Sequence, residues 1–528
     1  MATAAAMPAG ASPPAMIAGF EARKLFAFIA MVFGMFMAIL DIQIVSASLA
    51  DIQAGLSASA DEIPWVQTSY LIAEVVMIPL SGTLSRMMST RVVFTISAAG
   101  FTLMSFMCAQ AGSIGEMIVW RALQGFIGGA MIPSVFAASF TIFPPEKRSI
   151  ITPVIGLIAT IAPTIGPTLG GYLTDIFSWH WLFLVNIVPG IAVTAAAWLL
   201  IDFDEPDWSI FRKFDWLGLA AMALFLGTAE YVLEEGPGND WFEDLAVRYA
   251  ALACVLGMVL FFWRAFTAPQ PIVDLTAFKD RNFLTGSLFS FVLGIGLYGL
   301  TYLYPVFLAR VRGYSSMMIG ETMFITGIAM FLSAPIVGRL STKIDPRLMI
   351  AGGLLGFALG TWQASVVTKD WAFHELLVPQ ILRGASLMLC MVPITNAALG
   401  TLPLERLKNA SGLFNLTRNL GGAVGLALIN TALNQRMDLH LERLRESVSW
   451  ARSAATGTIA TMTEAMSALG SNAETGALAQ VARIVRREAT VMAIGDVFFL
   501  LTVLFVAVAL MTPLMRRPQA PAAPGGGH

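Results

Sequence analysis

The stretch Trp120-Arg121-Ala122-Leu123-Gln124-Gly125-Phe126-Ile127-Gly128-Gly129-Ala130 places one arginine inside an apolar run that is long enough to cross a membrane. Holding a cation at that depth costs from about 3 to more than 10 kcal/mol, so such a side chain is expected to face a partner or a water-filled cavity. Asp41 and Glu74 also lie within apolar runs. Arg121, Asp41 and Glu74 are therefore the first candidate functional residues.

The composition is that of an integral membrane protein. Of the 528 residues, 57% are hydrophobic and only 12% are charged, whereas soluble domains carry about 25% charged residues. The formal net charge of −2 argues against a nucleic-acid partner. The few cysteines and histidines show no metal-ligand spacing, and no Gly-Lys pair marks a phosphate-binding loop. We expect no metal, no cofactor and no enzymatic activity.

Fourteen segments are apolar over about the 20 residues that a helix needs to cross a bilayer. They cover 25–49, 63–84, 92–110, 116–142, 151–174, 180–201, 216–234, 245–265, 283–308, 317–338, 348–367, 374–400, 410–434 and 491–514. Most of the 32 lysines and arginines fall in alternate loops, which predicts that both termini are cytoplasmic. Residues 1–20 and 516–528 are expected to be disordered tails.

An internal repeat divides the chain. The loop motif Gly82–Arg91 is echoed by Gly338–Arg347, and Arg121 is echoed by Arg383 at nearly the same interval. Repeated halves around a central site are common in transporters. The predicted units are an N-terminal six-helix bundle (21–201), a linker with two inserted spans (202–282) and a C-terminal six-helix bundle (283–515).

Five motifs occur in order along the first half of the chain. They are Leu40–Val45, Gly82–Arg91, Arg121–Gly125, Gly156 with Ala162–Gly171, and Trp179–Asn186. Together they resemble the major facilitator superfamily, specifically its fourteen-span drug:proton antiporters of the EmrB type, and the resemblance extends over nearly the whole chain. It implies an all-α major facilitator fold and proton-coupled export of amphipathic drugs or toxic compounds across the bacterial inner membrane.

The resemblance also places the first and fourth spans together. With a helical rise of 1.5 Å per residue, the depths of Asp41 and Arg121 differ by only about 5 Å. A carboxylate beside an arginine stays ionised, whereas one without a partner in a low dielectric takes up a proton. The pair is thus a candidate proton switch, with a static ion pair as the alternative. Glu74, near the membrane centre, is a second candidate proton carrier or a simple cavity-wall acid.

A second group of candidates belongs to the fifth span and to the loop after the second. The antiporter motif comprises Gly156, Pro163, Gly166, Pro167, Gly170 and Gly171. Its missing side chains let a neighbouring helix approach closely, and the resemblance implies that this face seals the cavity against proton leak; generic packing is the alternative. Gly82, Arg86 and Arg91 form the cytoplasmic loop motif, in which Ser85 stands where the family usually has an acid.

Further polar residues are candidates for lining a cavity. They are Gln43, Gln124, Arg383, Asn415, Arg418 and Asn419. Asn415, Arg418 and Asn419 share one helix face, which is expected to point inward or to form a fixed polar network. No acid in the second half mirrors Asp41, so proton coupling is expected in the first half.

The segment 435–490 is charged and amphipathic. It predicts a helix that lies on the membrane surface or, as the resemblance implies, docks a periplasmic adaptor that leads to an outer-membrane channel. Two alternative functions stay open. One is a dedicated proton-coupled exporter of a single endogenous lipid, siderophore or metabolite, and the other is a non-transporting membrane receptor or scaffold.

Overall fold

The computed structural model describes residues 16–17, 20–59, 62–403, 406–448, 452–466 and 472–516. Nearly all of both predicted tails, and the side chain of Pro163, lie outside what is described. The described chain is helical apart from a strand pair, β1 (Met16–Ile17) and β2 (Phe20–Glu21). The α-helices are α1 (Ala22–Ala47), α2 (Leu49–Leu56), α3 (Trp65–Met88), α4 (Thr90–Ala109), α5 (Ile114–Gly128), α6 (Met131–Ile142), α7 (Pro145–Ile176), α8 (Trp181–Leu184), α9 (Ile187–Leu200), α10 (Trp216–Glu235), α11 (Leu245–Thr267), α12 (Arg281–Arg310), α13 (Ser316–Leu340), α14 (Pro346–Ala364), α15 (Phe373–Leu399), α16 (Leu407–Ser447), α17 (Ser453–Ala465) and α18 (Ala473–Ala509).

Eleven helical segments in the described ranges are long and apolar enough to cross a membrane. Two of them are composite, since α5 with α6 and α8 with α9 each make one crossing-length unit. Helices α7, α14 and α16 coincide with the three remaining predicted segments and have 32, 19 and 41 residues. The predicted all-α membrane fold is confirmed. Helices α16 and α18 also extend well into the segment 435–490, which the sequence had separated from the spans.

Short polar side chains begin several of the membrane-length helices. Ser113, Asp215, Asp244, Asp280 and Ser315 each accept a hydrogen bond from a backbone N–H in the first turn of α5, α10, α11, α12 and α13. These N-cap bonds satisfy donors that have no partner within the helix. The caps therefore fix where each apolar run starts to be helical.

The helices of the two chain halves (22–200 and 281–514) pack in the same order. In the first half, α1 packs on α7, α3 on α5, and α4 on both α5 and α9. In the second half, α12 packs on α16, α13 on α15, and α14 on both α15 and α18. The repeated contact order matches the repeated sequence motifs.

The halves meet along two interfaces. Helix α7 packs on α13 and α15, while α3 and α6 pack on α16. The helices between the halves, α10 and α11, pack on each other, and α10 lies against both α3 and α16. Helix α11 presents exposed apolar side chains such as Leu252, Leu256 and Val259. In a membrane protein such a face is suited to contact lipid. Because α10 lies against both α3 and α16, the inserted pair covers the α3–α16 interface on its lipid side.

We call the face of the helix array on which α1 begins and α18 ends the terminal side. Arg23 at the start of α1 forms an ion pair with Asp202, just after α9, at 3.1 Å. Arg281 at the start of α12 donates to the carbonyl of Leu514, just after α18, at 3.0 Å. Because successive spans alternate in direction, α3 also ends and α16 begins on this side.

Candidate functional site

A buried polar network joins α1, α3, α5 and the start of α9. Arg121 Nη1 donates to Asp41 Oδ2 at 2.6 Å and to Gln124 Oε1 at 2.7 Å, and its Nε donates to the Val66 carbonyl at 3.1 Å. Asn186 Nδ2 donates to Asp41 Oδ1 at 2.7 Å. The side chains of Asp41 and Arg121 are 0% exposed. The structure therefore brings together the two charged residues for which the sequence had predicted similar depths in the first and fourth spans.

Aromatic rings complete the surroundings of the arginine. Arg121 Cζ lies 4.3 Å from the centroid of the Tyr70 ring and 5.8 Å from that of Phe183. Arg121 Nη2 has no hydrogen-bond partner among the described residues. Cation–π contacts with these rings therefore provide the remaining favourable interactions of the guanidinium group. A Cβ at Gly125 would lie 3.0 Å from the Cα of Tyr70. The glycine thus allows α3 to approach α5 closely enough for this stacking.

A cavity of about 460 Å³ lies beside the network, between the two chain halves. Most of its wall is apolar, and its polar lining comes from both halves and from α10. The polar lining residues are Gln43, Ser46, Gln67, Glu74, Glu230, Glu234, Tyr298, Thr301, Tyr302 and Asn419. The apolar wall includes Ile39, Ile42, Leu71, Pro167, Val306 and Leu426. Four residues selected from the sequence, Gln43, Glu74, Pro167 and Asn419, therefore share one cavity.

Glu74 is the acid that connects the cavity with the network. It lies one helical turn after Tyr70 on α3, and it is only 3% exposed. Its Oε1 has no hydrogen-bond partner in the part of the chain that the structure describes. Asp41, in contrast, lies behind the wall, next to the lining residue Ile42. Both oxygens of Asp41 thus accept hydrogen bonds, whereas Oε1 of Glu74 is buried at the cavity surface without a hydrogen-bond partner among the described residues.

Three polar residues that sequence reasoning had assigned no role belong to this site. Glu230 and Glu234 lie four residues apart on α10, and both line the cavity. Asn186, at the end of the fifth motif, holds Asp41 and also donates to Ser105 Oγ at 3.1 Å. The signal for the two glutamates was present as a pair of acids with i, i+4 spacing inside the seventh predicted span.

The arginine of the second half has a different set of partners. Arg383 Nη2 donates to the hydroxyl of Thr301, and Nη1 lies 3.5 Å from Gln380 Oε1. Its Cζ lies 5.8 Å from the centroid of the Tyr304 ring. Arg383 is 4% exposed and lies behind the cavity-lining Thr301 rather than on the cavity surface.

The three polar residues of α16 point to three different surroundings. Asn415 donates to the Ser411 carbonyl of its own helix at 2.9 Å. Asn419 lines the cavity, where its Oδ1 accepts a hydrogen bond from Tyr298 at 3.3 Å. Arg418 Cζ lies 5.3 Å from two phenylalanine rings, those of Phe136 and Phe414. Of the six polar candidates, Gln124, Arg383, Asn415 and Arg418 do not line this cavity.

The glycines of α7 contact more than one neighbour. A Cβ at Gly170 would lie 2.8 Å from the Ile44 carbonyl oxygen, and one at Gly166 would overlap Gln43. A Cβ at Gly156 would lie 3.1 Å from the sulfur of Met391 on α15. The Gly171 carbonyl accepts a hydrogen bond from Thr174 of the same helix at 3.0 Å. The smooth face at Gly166 and Gly170 therefore packs on α1, within the first half, and α7 meets the second half elsewhere.

The loop motif closes the terminal side. A Cβ at Gly82 would lie 2.8 Å from the carbonyl oxygen of Lys408, so α3 and α16 are in close contact there. Lys408 Nζ donates to the Ser85 carbonyl at 3.1 Å and forms an ion pair with Asp204. Asp204 also accepts from the Thr90 backbone N–H at 2.8 Å. An acid from the linker after α9 thus pairs across the halves near Ser85, the position where the family usually has its own acid.

The two arginines of the loop motif lie close to this contact. The Arg86 carbonyl accepts a hydrogen bond from the Asp207 N–H at 3.1 Å. Arg91 Cζ lies 4.5 Å from the centroid of the Trp198 ring on α9. Both therefore fix the ends of α3 and α4 against the chain that leaves α9. His180, within the fifth motif, stacks on the Trp179 ring with centroids 3.8 Å apart.

Comparison with known proteins identifies this arrangement. A family model described as Major Facilitator Superfamily matches residues 31–426, most of the chain. The chain belongs to the major facilitator superfamily. Within this superfamily it is 42% identical to the colistin resistance protein EmrB of Acinetobacter baumannii, covering 94% of this chain and 98% of that protein. It is 30% identical to the multidrug export protein EmrB of Escherichia coli K12, covering 81% and 84%.

A solved structure shows the same fold. The proton:xylose symporter XylE is 12% identical and superposes with a TM-score of 0.58, covering 93% of this chain and 95% of that one. The resemblance to major facilitator proteins of the EmrB type is confirmed by these comparisons. Membership makes the protein a membrane transporter rather than an enzyme.

Proposed function

We propose that this protein is an antiporter that exports amphipathic drugs or toxic compounds across the bacterial inner membrane in exchange for protons. The observation that carries the proposal is the fully buried Asp41–Arg121 pair, beside a largely apolar cavity that Glu74 lines. An apolar cavity with a few polar groups suits amphipathic ligands. The names of the two EmrB relatives, which refer to multidrug export and colistin resistance, support this reading.

The geometry supports a mechanism in which protonation controls contacts between helices. While Asp41 is ionised, Arg121 and Asn186 hold α1, α5 and α9 together. A proton on the carboxyl would weaken the charge-assisted bonds, which are about twice as strong as neutral ones. Helix α1 also forms the cavity wall at Gln43, so a change at Asp41 would alter the substrate site. Proton entry and substrate release would thereby be linked.

The energetics are sufficient for export. One elementary charge moved through 100 mV yields about 2.3 kcal/mol. At about 1.4 kcal/mol for each factor of ten in concentration, this supports a gradient of roughly 40-fold per charge.

The topology that we propose has fourteen crossings, two six-helix bundles (21–201 and 283–515) and a cytoplasmic terminal side. The distribution of lysine and arginine supports this orientation. In a variant without native cysteines, an impermeant thiol reagent added to intact spheroplasts should label Ala460→Cys on α17 and spare Glu205→Cys. Both positions are exposed on the protein surface. The opposite labelling pattern would reverse the orientation.

We also propose that the extension of α16 and α18 beyond the membrane, together with α17, docks a periplasmic adaptor. Exposed Arg443 and Glu446 on the last turns of α16 give this surface charge for such a contact. Site-specific photo-crosslinking from Arg443 in cells should trap a partner protein. Crosslinks to lipid alone would instead favour a helix that rests on the membrane surface.

Purified protein in proteoliposomes tests the transport proposal. Adding an amphipathic drug to vesicles with a preformed proton gradient should dissipate that gradient, and an imposed gradient should drive drug accumulation. Asp41→Asn protein should do neither. Substrate movement that is independent of the proton gradient would refute proton antiport. A response to a single endogenous lipid, siderophore or metabolite, with none to a drug panel, would favour the dedicated exporter.

A further inference from the structure

Helix α10, which lies between the two chain halves in sequence, contributes acids to the cavity. Glu230 and Glu234 are separated by four residues, so they lie on the same face of α10, and both line the cavity. Glu230 is 7% exposed, whereas Glu234 is exposed at the rim. Helix α10 packs on α3, the helix that carries Glu74 to the same cavity. Helix α10 of the inserted pair is therefore part of the site.

The described cavity lining contains acidic residues and no basic ones. Three glutamates line it, and none of its lining residues in the described part of the chain is a lysine, arginine or histidine. The nearby Arg121 is engaged by Asp41 at 2.6 Å. Glu74 Oε1 is buried without a hydrogen-bond partner, and an unpaired buried carboxylate is costly. A positively charged ligand, or a proton, would relieve that cost.

The remaining lining suits a lipophilic ion rather than a small hydrated one. Apolar side chains such as Ile42, Leu71 and Val306 form most of the wall. Tyr298 and Tyr302 line the same space, and aromatic rings can attract organic cations. A small hydrated metal cation would need several oxygen ligands at close range, and the described residues contain no such cluster of acids.

We propose that Glu230 on α10, with Glu74 on α3, forms a binding site for monovalent lipophilic cations, and that Glu230 sets the preference for positive charge. This inference rests on the proposed export function and specifies its substrate class. It assigns to the inserted helix α10 a direct part in substrate selection.

Two ions of matched size and opposite charge test the site. Tetraphenylphosphonium and tetraphenylborate should be titrated into purified protein in nanodiscs by calorimetry. We expect the unmodified protein to bind the cation at least about tenfold more tightly than the anion, a factor that corresponds to about 1.4 kcal/mol. Glu230→Gln should weaken cation binding by about tenfold or more. Glu243→Gln, an exposed acid outside the cavity, should leave it unchanged.

A transport measurement separates failure of this inference from failure of the proposed function. Thermal unfolding in detergent that matches the unmodified protein shows that Glu230→Gln is folded. Proton-driven accumulation of the neutral dye Nile red by the unmodified protein in proteoliposomes tests export without relying on the cation site. Equal affinity for both ions, or unchanged cation affinity in Glu230→Gln, would overturn the cation site while leaving proton-driven export intact. If the unmodified protein does not accumulate Nile red under an imposed proton gradient, the export function itself is refuted.

Discussion

The two chain halves each bury an arginine at a repeated position, but they hold it differently. Arg121 pairs with the carboxylate of Asp41 at 2.6 Å, whereas Arg383 donates to the hydroxyl of Thr301. Each arginine also lies near a glutamine of its own helix and near a tyrosine ring, Tyr70 or Tyr304. Thr301 follows Asp41 at nearly the same interval that separates the two arginines.

This difference indicates a division of labour between the halves. A carboxylate can gain or lose a proton near neutral pH when its surroundings change, whereas a threonine hydroxyl cannot. The repeated geometry therefore keeps the arginine in both halves, but only the first half retains the acid. The second half supplies the cavity wall through Thr301 without a carboxylate next to Arg383.

The strongest test replaces Asp41 of the first half and Thr301, the residue at the equivalent position of the second half, in separate variants. Asp41→Asn should abolish proton-driven export while leaving the protein folded, because the amide still accepts a hydrogen bond from Arg121. Thr301→Val should retain most of the export, since no proton carrier is lost. The measurement is drug accumulation in proteoliposomes under an imposed proton gradient. Full export by Asp41→Asn would remove the pair from the coupling mechanism.

Removing the arginine of the first half should destabilise the protein more than removing the arginine of the second half. Arg121→Ala leaves the Asp41 carboxylate buried without its cation, which costs about 3–5 kcal/mol. Arg383→Ala leaves only neutral groups without a partner, at about 1–3 kcal/mol. Thermal unfolding of the purified variants in the same detergent should rank them in this order. An equal loss in both would mean that Asp41 is solvated or protonated in the ground state.

The second donor to the acid should have an intermediate effect. Asn186→Ala removes the 2.7 Å hydrogen bond to Asp41, and bonds to charged groups contribute about 1.5–3 kcal/mol. We expect that loss in unfolding free energy together with slower export. Ser105→Ala is the matched control, because it removes the hydroxyl that accepts the second hydrogen bond of the Asn186 amide and leaves the Asn186–Asp41 hydrogen bond in place. If Ser105→Ala slows export as much, the effect belongs to packing of α4 and α9 rather than to Asp41.

A smaller effect on stability than that of Arg121→Ala is expected where the fifth span of each half packs on the first. Gly170→Leu on α7 and Gly425→Leu on α16 both overpack, at about 1–3 kcal/mol each, against Ile44 and Ile295 respectively. Only Gly170→Leu displaces the helix that carries Asp41. It should therefore leak protons in liposomes while still binding substrate, and Gly425→Leu should not. Equal leak in both variants would place the seal in general packing rather than beside the acid.

The residues of the site that could be predicted from the sequence are the charged ones within apolar spans, where burying a charge in the membrane is energetically unfavourable. Asp41, Arg121 and Glu74 are visible because charges within apolar runs are rare, and matching depths pointed to the first pair. Glu230 is equally visible as an acid in a span, but only the packing of α10 on α3 and α16 shows that it faces the cavity. The Asp204–Lys408 pair joins residues far apart in sequence, and no local pattern marks such a contact.

The position of α10 and α11 also restricts how a compound dissolved in the bilayer reaches the cavity. Of the two interfaces between the halves, they cover the one between α3 and α16. The other lies between α7 and α13, where Pro167 and Ile319 line the cavity and Thr168 packs against Gly320. In the described part of the chain this second interface carries no inserted helices, but α7 and α13 are packed together there, so a lipid-soluble molecule would have to pass between them. The insertion of two helices therefore confines any lateral route to one side of the protein, and that route requires α7 and α13 to move apart.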